Sequence, residues 1–149
     1  MISLKRNNRG FTIVELLIVI VVIGILAALV IVTYNGIQQK ARDTERKTDI
    51  KAIQGHLEAY WADNAKYPTL AQANDSTFRT NNFKGLDLSA FADPKNPTSQ
   101  QLCSSAAANC YGYVVTPTGC DNTTTDCTNY TLTADLESNN TPFSVQSNN

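Results

Sequence analysis

The chain has 149 residues, 42% of them hydrophobic and 17% charged, with 12 basic and 13 acidic side chains, one histidine and four cysteines. That length allows at most one modest globular domain, and much of the apolar content sits in a single run, so the remainder must build a small core. A formal net charge of -1, with only Asp121, Asp126, Asp135 and Glu137 charged after Lys95, excludes a basic surface for nucleic acid in the C-terminal part.

Lys5, Arg6 and Arg9 precede the apolar run and no acid accompanies them; without residues 1–10, 9 basic side chains face 13 acidic ones, a formal -4. The run itself, RGFTIVELLIVIVVIGILAALVIVT, extends from Arg9 to Thr33, and no residue from Leu16 to Gln39 is charged. About 20 apolar residues at about 1.5 Å each cross the hydrocarbon core of a bilayer, so a membrane helix is predicted. The run is too long for the apolar part of a cleaved secretory signal, and Ala27 and Ala28 lie inside it rather than ending it. A basic leader holds the N-terminus in the cytoplasm and places the polar remainder outside. Glu15 is the one acid in the run. A carboxylate at a bilayer centre costs about 2.5 to 3.5 kcal/mol on insertion scales, less near the interface, so Glu15 calls for a charged partner.

From Tyr34 to Asn64 there is no proline, and Ile37, Ala41, Ile50, Ile53, Leu57, Tyr60 and Trp61 recur mostly at three- and four-residue steps. The helix is therefore predicted to continue as an amphipathic half. Its charged residues Lys40, Arg42, Asp43, Glu45, Arg46, Lys47, Asp49 and Lys51 alternate in sign, which reads as a solvated face or a contact between neighbouring helices. Residues 11 to 64 as one helix would be about 80 Å long.

Tyr67-Pro68 ends that helix, and residues 65–102 read as a connecting loop with short helical turns at Leu70–Asn74 and Leu86–Ala92. Residues 103–149 read as a small antiparallel sheet. Its strands are Tyr111–Thr116 and Asn129–Leu136, with a third near Phe143–Gln146 and a frayed Asn/Ser-rich end. Tyr130, Leu132, Ala134 and Leu136 alternate onto one face, which would cover the apolar side of the helix. The predicted fold is α+β, a long N-terminal helix packed on a small C-terminal sheet.

Cys103, Cys110, Cys120 and Cys127 all follow the membrane run, on the oxidising side of the predicted topology. Spacing favours Cys103 with Cys110 and Cys120 with Cys127; nested pairing, Cys103 with Cys127 and Cys110 with Cys120, is the alternative. The two six-residue gaps are wider than a zinc site's usual spacing, so no metal is assigned. His56 is the only histidine and no nucleophile motif accompanies it, so no catalytic residue, cofactor or enzymatic activity is assigned. Asp121–Asp126 offers oxygen ligands without the dense acids of a dedicated calcium site.

Gly10-Phe11-Thr12-Ile13-Val14-Glu15-Leu16 after the leader MISLKRNNRG resembles the signal of type IV pilins and of the pseudopilins of type II secretion, over residues 5–34. The resemblance implies that a prepilin peptidase removes leader 1–10 by cutting between Gly10 and Phe11 and then methylates the new Phe11 amine. In filaments of that family the neighbour's amine pairs with the glutamate, which makes Glu15 an assembly residue. Residues 11–33 would serve as membrane anchor and filament core, and 34–64 as the amphipathic continuation. Implied partners are prepilin peptidase, copies of this chain and related pilins, an assembly platform and the cytoplasmic membrane. The implied locations are that membrane, single-pass with the N-terminus inside, and then an extracellular filament. Val32 stands where many pilins have proline, so local melting between Gly24 and Val32 is weakly encoded. The expected role is a structural pilin subunit for adhesion, twitching motility or DNA uptake, toward which the two cysteine loops lean. A secretion pseudopilin is the nearest alternative, and a single-span sensor or binding module that never polymerises is the second.

Overall fold

The computed structural model describes residues 10–139 and 141–149; the basic leader positions Lys5, Arg6 and Arg9 lie outside the described residues. The apolar run and the charged stretch after it form one helix, α1 (Ile13–Asn64). It runs unbroken through Gly24, Val32 and Asn35-Gly36, since isolated glycines cost only about 1 kcal/mol each in a helix. Thr33, Thr44 and Thr48 donate their hydroxyls to carbonyls one turn back, at 2.8, 2.8 and 2.9 Å. Ala65, at φ 54°, leaves the helical region, and Tyr67-Pro68 prevents resumption. Residues up to Gln38 and residues from Gln39 to Asn149 form two compact units, described separately.

In the first unit every described residue, Gly10 to Gln38, is exposed. Such a helix is long and apolar enough to cross a membrane.

In the second unit, α1 turns Ile50, Ile53 and Leu57 inward, all at 0% exposure. Burial of each side chain contributes about 1.5 to 3 kcal/mol relative to exposure. Ala41 is exposed and contributes nothing to this core, so the predicted apolar stripe starts later than its periodicity indicates; Ile37, in the first unit, is exposed as well. The connecting segment holds α2 (Leu70–Asn74), α3 (Ser76–Asn82) and a 3-10 turn at Leu88–Phe91. Thr69 and Gln72 cap α2 reciprocally. α3 was hidden because Asp75 reads as a loop residue, whereas its carboxylate accepts the Phe78 N–H at 2.6 Å and starts a new helix.

Three antiparallel strands, β1 (Gly112–Thr116), β2 (Asn129–Asp135) and β3 (Pro142–Gln146), lie in the order β1-β2-β3. Tyr113 faces Leu132 and Leu132 faces Val145 across the ladders, so Tyr130, Leu132 and Ala134 fill the inner face against α1. Gly112 is obligatory where β1 passes the Cys103–Cys110 loop, because a Cβ there would overlap the Ala106 backbone nitrogen. The chain end, expected to fray, is tied down instead. Ser147 N–H donates to the Tyr130 carbonyl at 3.1 Å, and the Asn149 amide donates to the Tyr67 hydroxyl at 2.9 Å.

Candidate functional site

At the N-terminus, Gly10 and Phe11 are exposed, and no atom lies within 4 Å of where a Cβ on Gly10 would be. Phe11 is not on the helix with Glu15, as a four-residue step would have it. Thr12 starts the helix: its carbonyl accepts the Leu16 N–H at 3.2 Å, and its hydroxyl accepts the Glu15 N–H at 3.2 Å. In return a Glu15 oxygen accepts the Thr12 N–H and the Thr12 hydroxyl, each at 2.8 Å. This reciprocal cap satisfies donors that a helix start leaves open. Thr-x-x-Glu at residues 12–15 carries that signal in the sequence, beside the reading of Glu15 as an acid awaiting a cation.

In the second unit the structure departs most from a solvated charged face. Asp43 and Arg46 are 4% and 2% exposed. Arg46 holds both Asp93 oxygens at 2.7 and 3.0 Å, Asp43 Oδ1 at 3.0 Å and Glu137 Oε1 at 2.8 Å. Arg42 grips Glu137 through two nitrogens at 2.8 and 2.7 Å, and Lys95 reaches the same carboxylate at 2.9 Å. Asp43 accepts the Glu137 and Ser138 N–H groups at 2.8 and 2.9 Å. The hydrogen bonds that Arg46 donates to Asp93 raise the Arg46 pKa against the opposing effect of burial. Arg42 holds the Glu137 carboxyl well below its ordinary range, also against burial. Burial pushes Asp43 up, but the Glu137 and Ser138 donors outweigh it and leave that carboxyl low. The cluster ties α1 to the connecting segment and to the β2–β3 turn.

A second polar set lies around tyrosines. Tyr67 and Tyr130 donate to the two oxygens of Glu58 at 3.0 and 2.8 Å, Tyr113 donates to the Pro68 carbonyl at 2.8 Å, and Tyr111 donates to Asp49 at 2.8 Å. Burial raises the Tyr67 hydroxyl to about 12 and the Asp49 carboxyl to about 6. Arg79, 4% exposed, donates to the Ala73 and Gln100 carbonyls and the Asn74 side chain and lies over the Phe91 ring at 3.7 Å.

Cys103 is bonded to Cys110 and Cys120 to Cys127, with Cα separations of 6.1 and 5.2 Å. The second bond closes the Asp121 loop, where the Thr123 side chain and the backbone N–H groups of Thr123, Thr124 and Thr125 hold the Asp121 carboxylate below its ordinary range. Asp126 pairs with Lys66 at 3.0 Å. His56 sits with its ring 6.0 Å from that of Phe83. Asp43, Arg46, Asp93 and Glu58 were invisible as a site because their partners lie far away in sequence.

The prokaryotic N-terminal methylation motif family matches residues 5–31. The chain has a prepilin-type N-terminus. It is 41% identical over 69 residues to the type II secretion system core protein G of Dickeya chrysanthemi, covering 46% of this chain and 45% of that protein. It is 42% identical over 72 residues to the core protein G of Aeromonas hydrophila, covering 48% and 50%. It is 34% identical over 86 residues to the type IV major pilin PilA of Myxococcus xanthus, covering 58% and 39%. It spans about half the length of the curated relatives it matches. No solved structure matches it.

Proposed function

We propose that this chain is a structural subunit of the pseudopilin kind, serving type II secretion rather than catalysing a reaction. Identity above 40% to core protein G chains of two bacteria carries that choice over a surface pilin. In this reading residues 11–33 hold the precursor in the cytoplasmic membrane with the N-terminus inside. A prepilin peptidase cuts between Gly10 and Phe11 and methylates Phe11. The freed amine then neutralises Glu15 of a neighbouring copy, and exposed apolar helices pack together in a filament. Exposure of Gly10, Phe11 and the whole apolar run is what a cleavable, assembling segment requires.

A surface pilin for adhesion, motility or DNA uptake is the second reading, favoured by the match to the Myxococcus major pilin. Deleting the gene separates the two. Loss of exported enzymes with surface filaments intact is the expected result; loss of filaments or twitching with secretion intact establishes the second. A Gly10 variant that leaves size, location and function unchanged overturns both and leaves a membrane-anchored module that never polymerises.

A further inference from the structure

Within the second unit, between Lys40 and Lys51, the outward side of α1 carries its charges in two separate stripes. At about 100° per residue, Lys40, Lys47 and Lys51 fall within about 40° of one another, Glu45 and Asp49 do likewise, and the stripes lie about 160° apart. The lysines are exposed, Glu45 is exposed and Asp49 is half-buried. Among the described residues, none of these five takes part in an ion pair, while their neighbours Arg42, Asp43 and Arg46 are consumed in the buried cluster. Lys47 instead lies 6.0 Å from the centre of the Phe143 ring.

We propose that the Lys40, Lys47 and Lys51 stripe of one copy docks against the Glu45 and Asp49 stripe of the next, joining identical chains side by side. The proposal rests on the filament reading and names the contact that sets neighbour against neighbour outside the apolar core. The occupant is a second copy because each chain carries both halves of the contact on one rigid element and cannot bring them together itself. Two complementary stripes on opposite sides of one element form a heterologous contact, which propagates rather than closing as a dimer. Asp49 adds an independent sign. Burial, with Glu45 and Asp93 nearby, raises its carboxyl to about 6, and Tyr111 is its only hydrogen-bond donor among the described residues. A cation supplied from outside the chain would relieve that arrangement.

The test overproduces full-length chains in cells lacking the native copy and counts filaments by electron microscopy. Lys47→Glu with Lys51→Glu, and separately Glu45→Lys, alter only exposed positions; intact disulfides on non-reducing gels and an unchanged urea midpoint establish folding. Each alone is expected to lower filament number by at least about tenfold, and differently tagged copies of the two together to restore mixed filaments to within about twofold of wild type. Assembly of either variant alone at the wild-type level, or a pair that assembles no better than its members, overturns the contact. Separate copies carrying Lys51→Cys and Glu45→Cys supply a second measurement. A disulfide-linked dimer only when both are present supports the contact, and its absence from assembled filaments rejects it. If wild-type chains form no filaments, the subunit reading falls and the contact with it; if they do and reversal is silent, only the contact falls.

Discussion

Arg46 Nε and Nη2 clasp the two oxygens of Asp93 at 2.7 and 3.0 Å, linking a helix residue to a loop residue 47 positions later. With Asp43 and Glu137 on the third nitrogen, one guanidinium serves three carboxylates. Arg46→Met strands these acids in a buried site and is expected to cost about 3 to 5 kcal/mol in urea unfolding. Lys95→Ala removes an exposed partner of Glu137 and is expected to cost less than about 1 kcal/mol. Equal losses from the two would show that the cluster is not organised around Arg46.

Two of these acids and Asp49 set opposite limbs of a pH profile. Asp43 and Glu137 titrate below their ordinary values in the folded chain, so their stabilisation is present above about pH 4.5 and is lost as pH falls through the folded values. Asp49 is raised to about 6, so the stability it retains when protonated is full below its unfolded value and is lost as pH rises toward 6. Asp49→Asn keeps an acceptor for Tyr111 and removes the charge, so the variant is expected to gain stability at pH 7 and to lose the decline between pH 4 and 6. A variant no more stable than wild type at pH 7 would refute the strain assigned to Asp49.

The long helix, the alternating inner face of β2 and the signal at Gly10–Glu15 were legible because each is a local pattern. Period and breaker residues announce such elements without knowledge of the fold. The buried cluster was not legible: Arg42, Asp43 and Arg46 look like any solvated helix charges until Asp93 arrives from 47 positions away and Glu137 from more than 90. α3 was missed because Asp75 and Ser76 favour a turn and a helix start equally. The chain end was misjudged because its anchors, Tyr67, Asn129 and Tyr130, are remote in sequence.

The two disulfides close loops of equal length but differ in surroundings. Cys120 and Cys127 are buried and the Cys127 carbonyl accepts the Tyr67 N–H at 2.8 Å, whereas Cys103 and Cys110 are only half-buried. Replacing Cys120 and Cys127 with serine is therefore expected to cost about 2 to 4 kcal/mol, more than the same change at Cys103 and Cys110. Denaturant midpoints of the two double variants provide the comparison. Alkylation of the unfolded chain should label no cysteine before reduction and all four after it.

Glu15 carries two roles that a single deletion confuses. As a cap it trades hydrogen bonds with Thr12, and in the proposed function it pairs with the Phe11 amine that cleavage would free. Glutamine at the third helical position still completes a capping box, so Glu15→Gln keeps the helix start and removes the charge. Thr12→Val does the reverse, at a cost of about 1 kcal/mol to the first turn. Membrane insertion should be unchanged in both, since neither adds a charge to the span. If charge pairing guides assembly, E15Q should lower filament number by at least about tenfold while T12V stays near wild type, because a buried amine left without its carboxylate is penalised far more than a lost cap. Mature-length chains on gels would establish that processing is intact in each. The opposite ranking, with E15Q assembling normally and T12V failing, would reduce Glu15 to a helix cap and remove its part in setting one copy against the next.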